Sequence, residues 1–112
     1  ETRLIICADE TLTPIFVDSI WVDTWPEPTD PPSRDLYNGE QSGGIGRIGR
    51  NTIARHGSRP PSTAPRNVPA GQRLPGGVKV GCADGHAEAA PLEKLWNLHW
   101  HNAWQPPSPR PK

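Results

Sequence analysis

Hydrophobic and polar positions alternate most regularly near the C-terminal end of the chain. Val78, Val80 and Cys82 alternate with Lys79, Gly81 and Ala83, the two-residue period of a strand with one buried face. Asp84-Gly85 follows, and both residue types tolerate positive φ. The pattern therefore predicts a tight type I′ turn at Asp84-Gly85 with a return strand over 86–90. Pro91 ends that strand and opens a short helix over 92 to about 98, with Leu92, Leu95, Trp96 and His99 on one face. Upstream, residues 3–8 (Arg-Leu-Ile-Ile-Cys-Ala) read as a short buried strand. Residues 14–25, with Ile15, Phe16, Val17, Ile20, Trp21 and Val22, read as a strand broken by a bulge or bend at Asp18-Ser19. Residues 50–55 give one more strand candidate, ending at His56-Gly57.

Between these stretches the pattern fails. Residues 25–35 hold four prolines, which exclude helix and central strand. Leu36-Tyr37-Asn38-Gly39 is a turn signal, 41–49 is glycine-rich, and 58–75 is a second proline-punctuated loop. Long loops of this kind in a compact domain are functional or disordered. The expected fold is mainly β with long irregular loops: a small antiparallel sheet, a C-terminal β-hairpin and one short C-terminal helix. One globular domain is expected over 1–107, followed by an extended, mobile tail at 108–112.

Composition sharpens this. With 112 residues, 33% hydrophobic, and 11 Gly plus 15 Pro, the chain has material for one small core. Five tryptophans against one Phe and one Tyr mean that indoles must supply much of its apolar area. Trp21, Trp25, Trp96, Trp100 and Trp104 are therefore read as packing residues. A sugar-binding platform of exposed indoles is the alternative. Formal net charge is zero, with 12 basic and 12 acidic residues, which argues against a nucleic acid or an anionic membrane as the main partner. The basic segment from Arg47 to Arg73 is expected to be a solvated loop with arginines packing on indoles. No hydrophobic run approaches the length of a membrane span, and no signal peptide is visible. The sequence opens on Glu1 without an initiator methionine, as a mature product or a fragment does.

Chemistry-bearing residues are few. Cys7 and Cys82 both lie in strand-like apolar runs and suit either a disulfide between neighbouring strands or two buried thiols. Cys7, Cys82, His56 and His86 offer four donors to a metal, the second alternative, but no paired HxxxH or CxxC spacing supports it. The expected role of His56 and His86 is hydrogen bonding to backbone near the hairpin. Asp9, Asp18, Asp23 and Asp84 offer oxygen ligands to calcium, without EF-hand spacing. No serine lies in a nucleophile elbow, and the Gly43-Gly44-Ile45-Gly46 run is not placed as a phosphate loop. No catalytic residue is expected, and the chain reads as a non-enzyme.

Taken together, the Ile-Ala-Arg-His-Gly stretch, Gly-Gly-Val-Lys-Val-Gly-Cys-Ala-Asp-Gly-His-Ala-Glu, and Leu-Glu-Lys-Leu-Trp-Asn-Leu-His-Trp-His-Asn-Ala-Trp-Gln-Pro-Pro resemble the C-terminal part of prepilin-like (pseudopilin) proteins of Verrucomicrobia and Planctomycetes. Those proteins carry a histidine, nine residues, then Asp-Gly. The Thr-Pro-Ile-Phe-Val-Asp and Trp-Val-Asp-Thr-Trp-Pro-Glu-Pro stretches are similar too, so the likeness runs from about Thr13 to Pro107. Here His56 and Asp84 are much further apart, so 58–75 reads as an insertion. The family's N-terminal hydrophobic helix does not follow Glu1.

The resemblance implies the globular head of a filament subunit of the type IV pilus or type II secretion kind. Its partners would be other pilin-like subunits, in a homo-oligomer or filament outside the cell or in its envelope. Membrane contact would come only through that N-terminal helix. In this reading Asp84 and Gly85 fix the turn and the neighbouring loop holds His86. Calcium held in the C-terminal loops of some related pseudopilins makes Asp84, with Asp18 and Asp23, the candidate ligand set. A Cys7–Cys82 bridge is expected if the protein is exported.

Overall fold

The computed structural model describes residues 12–21, 24–40 and 47–112. Among these residues three antiparallel strands form one sheet in the order β1-β2-β3: β1 is Pro14–Val17, β2 is Gly77–Cys82 and β3 is Ala87–Pro91. Mainly-β architecture with long irregular connections is the fold expected from the pattern. The strand expected at 3–8 lies outside the described residues.

β2 is the central strand, and its period sets the core. Val78, Val80 and Cys82 are buried while Lys79 faces solvent. On the buried side they meet Ala90 of β3, Leu36, Ile48, Ile53, Val68 and Leu74 from the loops, and the residues that follow β3. Gly77 is where β2 starts, and only hydrogen fits there: a Cβ would stand 2.5 Å from the Ala90 carbonyl oxygen. The adjacent Gly76 has φ +80°, and a Cβ on it would lie 2.7 Å from that of Ala54. This close approach lets His56 and Gly77 exchange both backbone hydrogen bonds, at 2.9 and 2.7 Å.

Several expectations are corrected. The β2–β3 connection is not a two-residue type I′ turn, because Gly85 has positive φ and Asp84 does not. The Gly85 N–H donates to the Cys82 carbonyl at 3.0 Å and the Cys82 N–H to the His86 carbonyl at 2.9 Å. This is a type I turn closed by a glycine bulge, with a three-residue loop, Ala83-Asp84-Gly85. Strand β1 ends at Val17, short of the expected 14–25, and the register slips between Pro14 and Phe16 rather than at Asp18-Ser19.

Residues 50–55 are not a strand. Arg50 closes a 3-10 turn that begins at Ile48, and Asn51, Thr52, Ile53 and Ala54 are all buried, so no exposed face alternates with a buried one. The segment is held by the Ala54 N–H donating to Leu36 O at 2.8 Å and by the bridge at His56.

The C-terminal helix is a 3-10 helix, Leu92–Asn97. Its three-residue turn stacks Leu92 and Leu95 with Leu98 beyond them, all buried together with Trp96. His99, expected on that face, is half-buried, and its N–H donates to Leu12 O at 2.7 Å. The tail at 108–112 is docked. Arg110 reaches Glu93 with Nε and Nη2, both at 2.9 Å, and donates to Gln72 O at 2.8 Å. Its guanidinium stands 5.4 Å from the centre of the Trp96 ring.

The proline-rich loops are ordered against this scaffold. Leu36 N–H donates to Pro65 O and Val68 N–H to Arg34 O, each at 2.8 Å. Asp30 is the buried anchor of the first loop. Its carboxylate accepts from Arg47 Nη1 at 2.7 Å, the Glu27 N–H at 2.9 Å and the Ile48 N–H at 3.2 Å, so the charge is fully partnered. Arg66 and Arg55 stack over Tyr37, at 3.8 and 5.8 Å from the ring centre. Two arginines of the basic segment thus pack on the phenol ring. Among the described residues no helix is long and apolar enough to cross a membrane.

Candidate functional site

The five tryptophans divide into two groups. Trp96 and Trp104 are buried and Trp100 is half-buried. Each indole N–H of this group has a carbonyl acceptor: Asp30 O for Trp96 at 3.0 Å, Leu95 O for Trp100 at 2.9 Å and Trp96 O for Trp104 at 2.9 Å. These are the packing residues expected. Trp21 and Trp25 are not. They are 59% and 69% exposed, beside Ile15 at 56% and Phe16 at 77%. Strand β1 ends at Val17, before both indoles, and of the segment that follows it is Ile20 that packs against the core.

Trp21, Trp25, Pro14 to Val17 and Trp100 line one open groove whose polar rim includes Glu27 and His101. His101 Nδ1 accepts from the Ala103 N–H at 3.2 Å, which leaves Nε2–H to donate to Glu27, also at 3.2 Å. Nothing in the local pattern brings Glu27 to His101, 74 positions away, and Phe16 reads there as an ordinary strand residue.

The hairpin end carries a second grouping. In the observed register Gly81 pairs with Ala87 and Val80 with Glu88, and the Cys82 N–H reaches His86 O. Opposed residues point to the same side of a sheet, so Cys82, His86 and Glu88 share one face. One ligand-capable atom from each lies within 4.8 Å of the others. Asp84 Oδ1 accepts from the His86 backbone N–H at 3.1 Å and contacts His86 Nδ1. His86 Nε2 lies 3.5 Å from Glu88 Oε1. His86 is therefore held by its own hairpin and not by a neighbouring loop.

The electrostatics follow from these contacts. The hydrogen bond from His86 holds the Asp84 carboxyl below its ordinary range, and the same bond raises the imidazole. Burial pushes the Cys82 thiol up, with the charges of Glu88 and Asp84 acting in the same direction. A raised thiol is a poor nucleophile at neutral pH, so this Cys-His-Asp arrangement does not favour thiol catalysis.

The calcium set does not converge. Asp18 N–H donates to Lys79 O at 3.1 Å, and its Oδ2 accepts from the Lys79 N–H at 2.9 Å. It also lies 3.2 Å from His56 Nε2. Asp18 is thus tied to the middle of β2, while Asp84 sits at the hairpin tip, about 15 Å further along at the usual strand rise. Asp23 lies outside the described residues. The four-donor set of Cys7, Cys82, His56 and His86 also fails, because His56 pairs with Asp18 and not with His86. Cys82 is a buried free thiol; Cys7, its expected partner, lies outside the described residues.

Comparison with known proteins gives no match. No family model, no curated protein and no solved structure matches the chain. The arrangement therefore has to be read from its own chemistry: an apolar groove beside an edge strand at one side, and a mixed thiol, imidazole and carboxylate cluster at the hairpin end.

Proposed function

We propose that the chain is a structural subunit, a pilin-like head that associates with further pilin-like subunits through the apolar face around β1. One observation carries the reading: Ile15, Phe16, Trp21 and Trp25 stand in solvent on and after β1, which among the described residues is an edge strand. An edge strand offers unpaired backbone groups, and proteins normally blunt such edges with charge, proline or a cover. Here the edge is flanked by large apolar side chains, which is the composition of a contact surface. A further copy of the chain is the fitting occupant, because an extended edge with apolar flanks can be covered by an extended segment of a neighbouring subunit. The resemblance to prepilin-like heads agrees with this role, and with a place outside the cell or in its envelope. The role is assembly, without catalysis.

The test is a concentration series followed by sedimentation velocity, with electron microscopy of native material. Association is expected in the wild-type chain and is lost in the double variant Phe16→Glu, Trp25→Glu. A chain that stays monomeric at every concentration, with native material showing neither filaments nor envelope association, overturns the proposal.

One observation favours a second reading. Trp21, Trp25 and Trp100 line a single groove with Glu27 and His101 at its rim, and indole faces with adjacent polar groups suit the apolar faces and hydroxyls of a sugar ring. Titration of tryptophan fluorescence with soluble polysaccharides separates the two readings. A saturable change lost in Trp25→Ala supports carbohydrate binding, and no change with any glycan removes it.

A further inference from the structure

We propose that Cys82, His86 and Glu88 form a binding site for a divalent transition-metal ion of the zinc class, with Asp84 as a positioning residue and a fourth coordination position open to solvent. The site is independent of whether the head assembles.

The hairpin register makes the site possible. Cys82 and His86 flank a three-residue loop, and Glu88 lies two residues further along the same face of β3. The donors are close in sequence and already aligned, so little chain entropy is lost in bringing them together. The spacing fits a small ion. His86 Nε2 and Glu88 Oε1 are 3.5 Å apart, and two ligands at bond lengths of about 2.1 Å in a tetrahedral site stand about 3.4 Å apart. All three donor atoms lie within 4.8 Å of one another, so small rotamer adjustments close the set around one ion.

The donor types select the metal. A thiolate and an imidazole favour zinc-like ions over calcium or magnesium, which take oxygen ligands. Asp84 supplies what ligand histidines commonly need. By engaging Nδ1 it fixes the tautomer and leaves Nε2 on the side of Glu88. Cys82 is buried whereas His86 and Glu88 are more than a third exposed, so the ion would sit at the surface with one side open. A structural ion pair between His86 and the two carboxylates gives Cys82 no part in the cluster. That difference makes the proposal decidable.

The experiment titrates the full chain with cobalt(II) under reducing conditions and follows the thiolate-to-cobalt charge-transfer absorption. Zinc is then added as competitor. Wild-type protein and Cys7→Ser are expected to show the band equally, with zinc bleaching it. Cys82→Ser should lack it. Glu88→Gln and His86→Ala should each weaken cobalt binding at least about tenfold, and Asp84→Asn about tenfold through loss of orientation alone. Glu88 is exposed, so Glu88→Gln remains folded, as near-ultraviolet circular dichroism of the tryptophans will verify. Absence of the band in wild-type protein overturns the proposal. So does a band lost in Cys7→Ser, which moves the thiolate elsewhere, or one indifferent to both Glu88→Gln and His86→Ala.

Discussion

The tryptophans after β3 and those after β1 are the same residue type put to opposite uses. Trp96, Trp100 and Trp104 each place the indole N–H on a carbonyl within the fold, so the ring can leave water without stranding a donor. Trp21 and Trp25 stay in solvent. Composition alone treats five indoles as five packing residues. Position relative to the sheet decides which of them pack: those following the covered hairpin fold over it, and those following the exposed edge do not.

The largest effect should come from Trp96→Ala. It removes a buried indole together with the bond to Asp30 O, and should cost about 4 kcal/mol in denaturant unfolding. A loss comparable to that of Trp25→Ala would erase the contrast. Next is Asp30→Ala, which cuts the tie between the proline-rich loop and Arg47 and strands the buried Ile48 N–H. The expected loss is about 3 kcal/mol, with Asp30→Asn restoring part of it.

Acid titration probes the clasp over Trp96. Two hydrogen bonds from Arg110, and then the Leu74 N–H, hold Glu93 below its ordinary value of 4.5. The unfolded chain binds that proton first as pH falls. The contribution is therefore complete above the ordinary value, declines below it, and is gone once the pH passes beneath the lowered folded value. Arg110→Ala should flatten this limb of the stability-against-pH curve. The smallest effect is expected for Trp25→Ala, within about 0.5 kcal/mol, while self-association measured by sedimentation falls.

The hairpin was legible because β2 alternates strictly and Asp84-Gly85 marks the reversal. The face that His86 occupies was not. A two-residue turn pairs Ala83 with His86 and sends His86 and Glu88 to the side opposite Cys82. The glycine bulge adds one residue to the loop, and a one-residue change of register exchanges the faces. The thiol, imidazole and carboxylate meet only because of it. The loops were illegible for a different reason. Leu36 with Pro65 and Val68 with Arg34 are joined by backbone hydrogen bonds, which leave no side-chain period to read. Asp30 looked like one more polar residue among prolines, although its carboxylate is wholly buried. Its partner Arg47 lies 17 positions away, beyond any local pattern.

The bond from the Trp96 indole to the Asp30 carbonyl joins residues 66 positions apart. During synthesis the first proline-rich loop leaves the ribosome long before the indole that seats it. The contact that seats this loop can therefore close only after Trp96 has emerged, in a step of long-range contacts. Until that indole appears, the nascent proline-rich loop has a carbonyl waiting at Asp30 and nothing to dock on it.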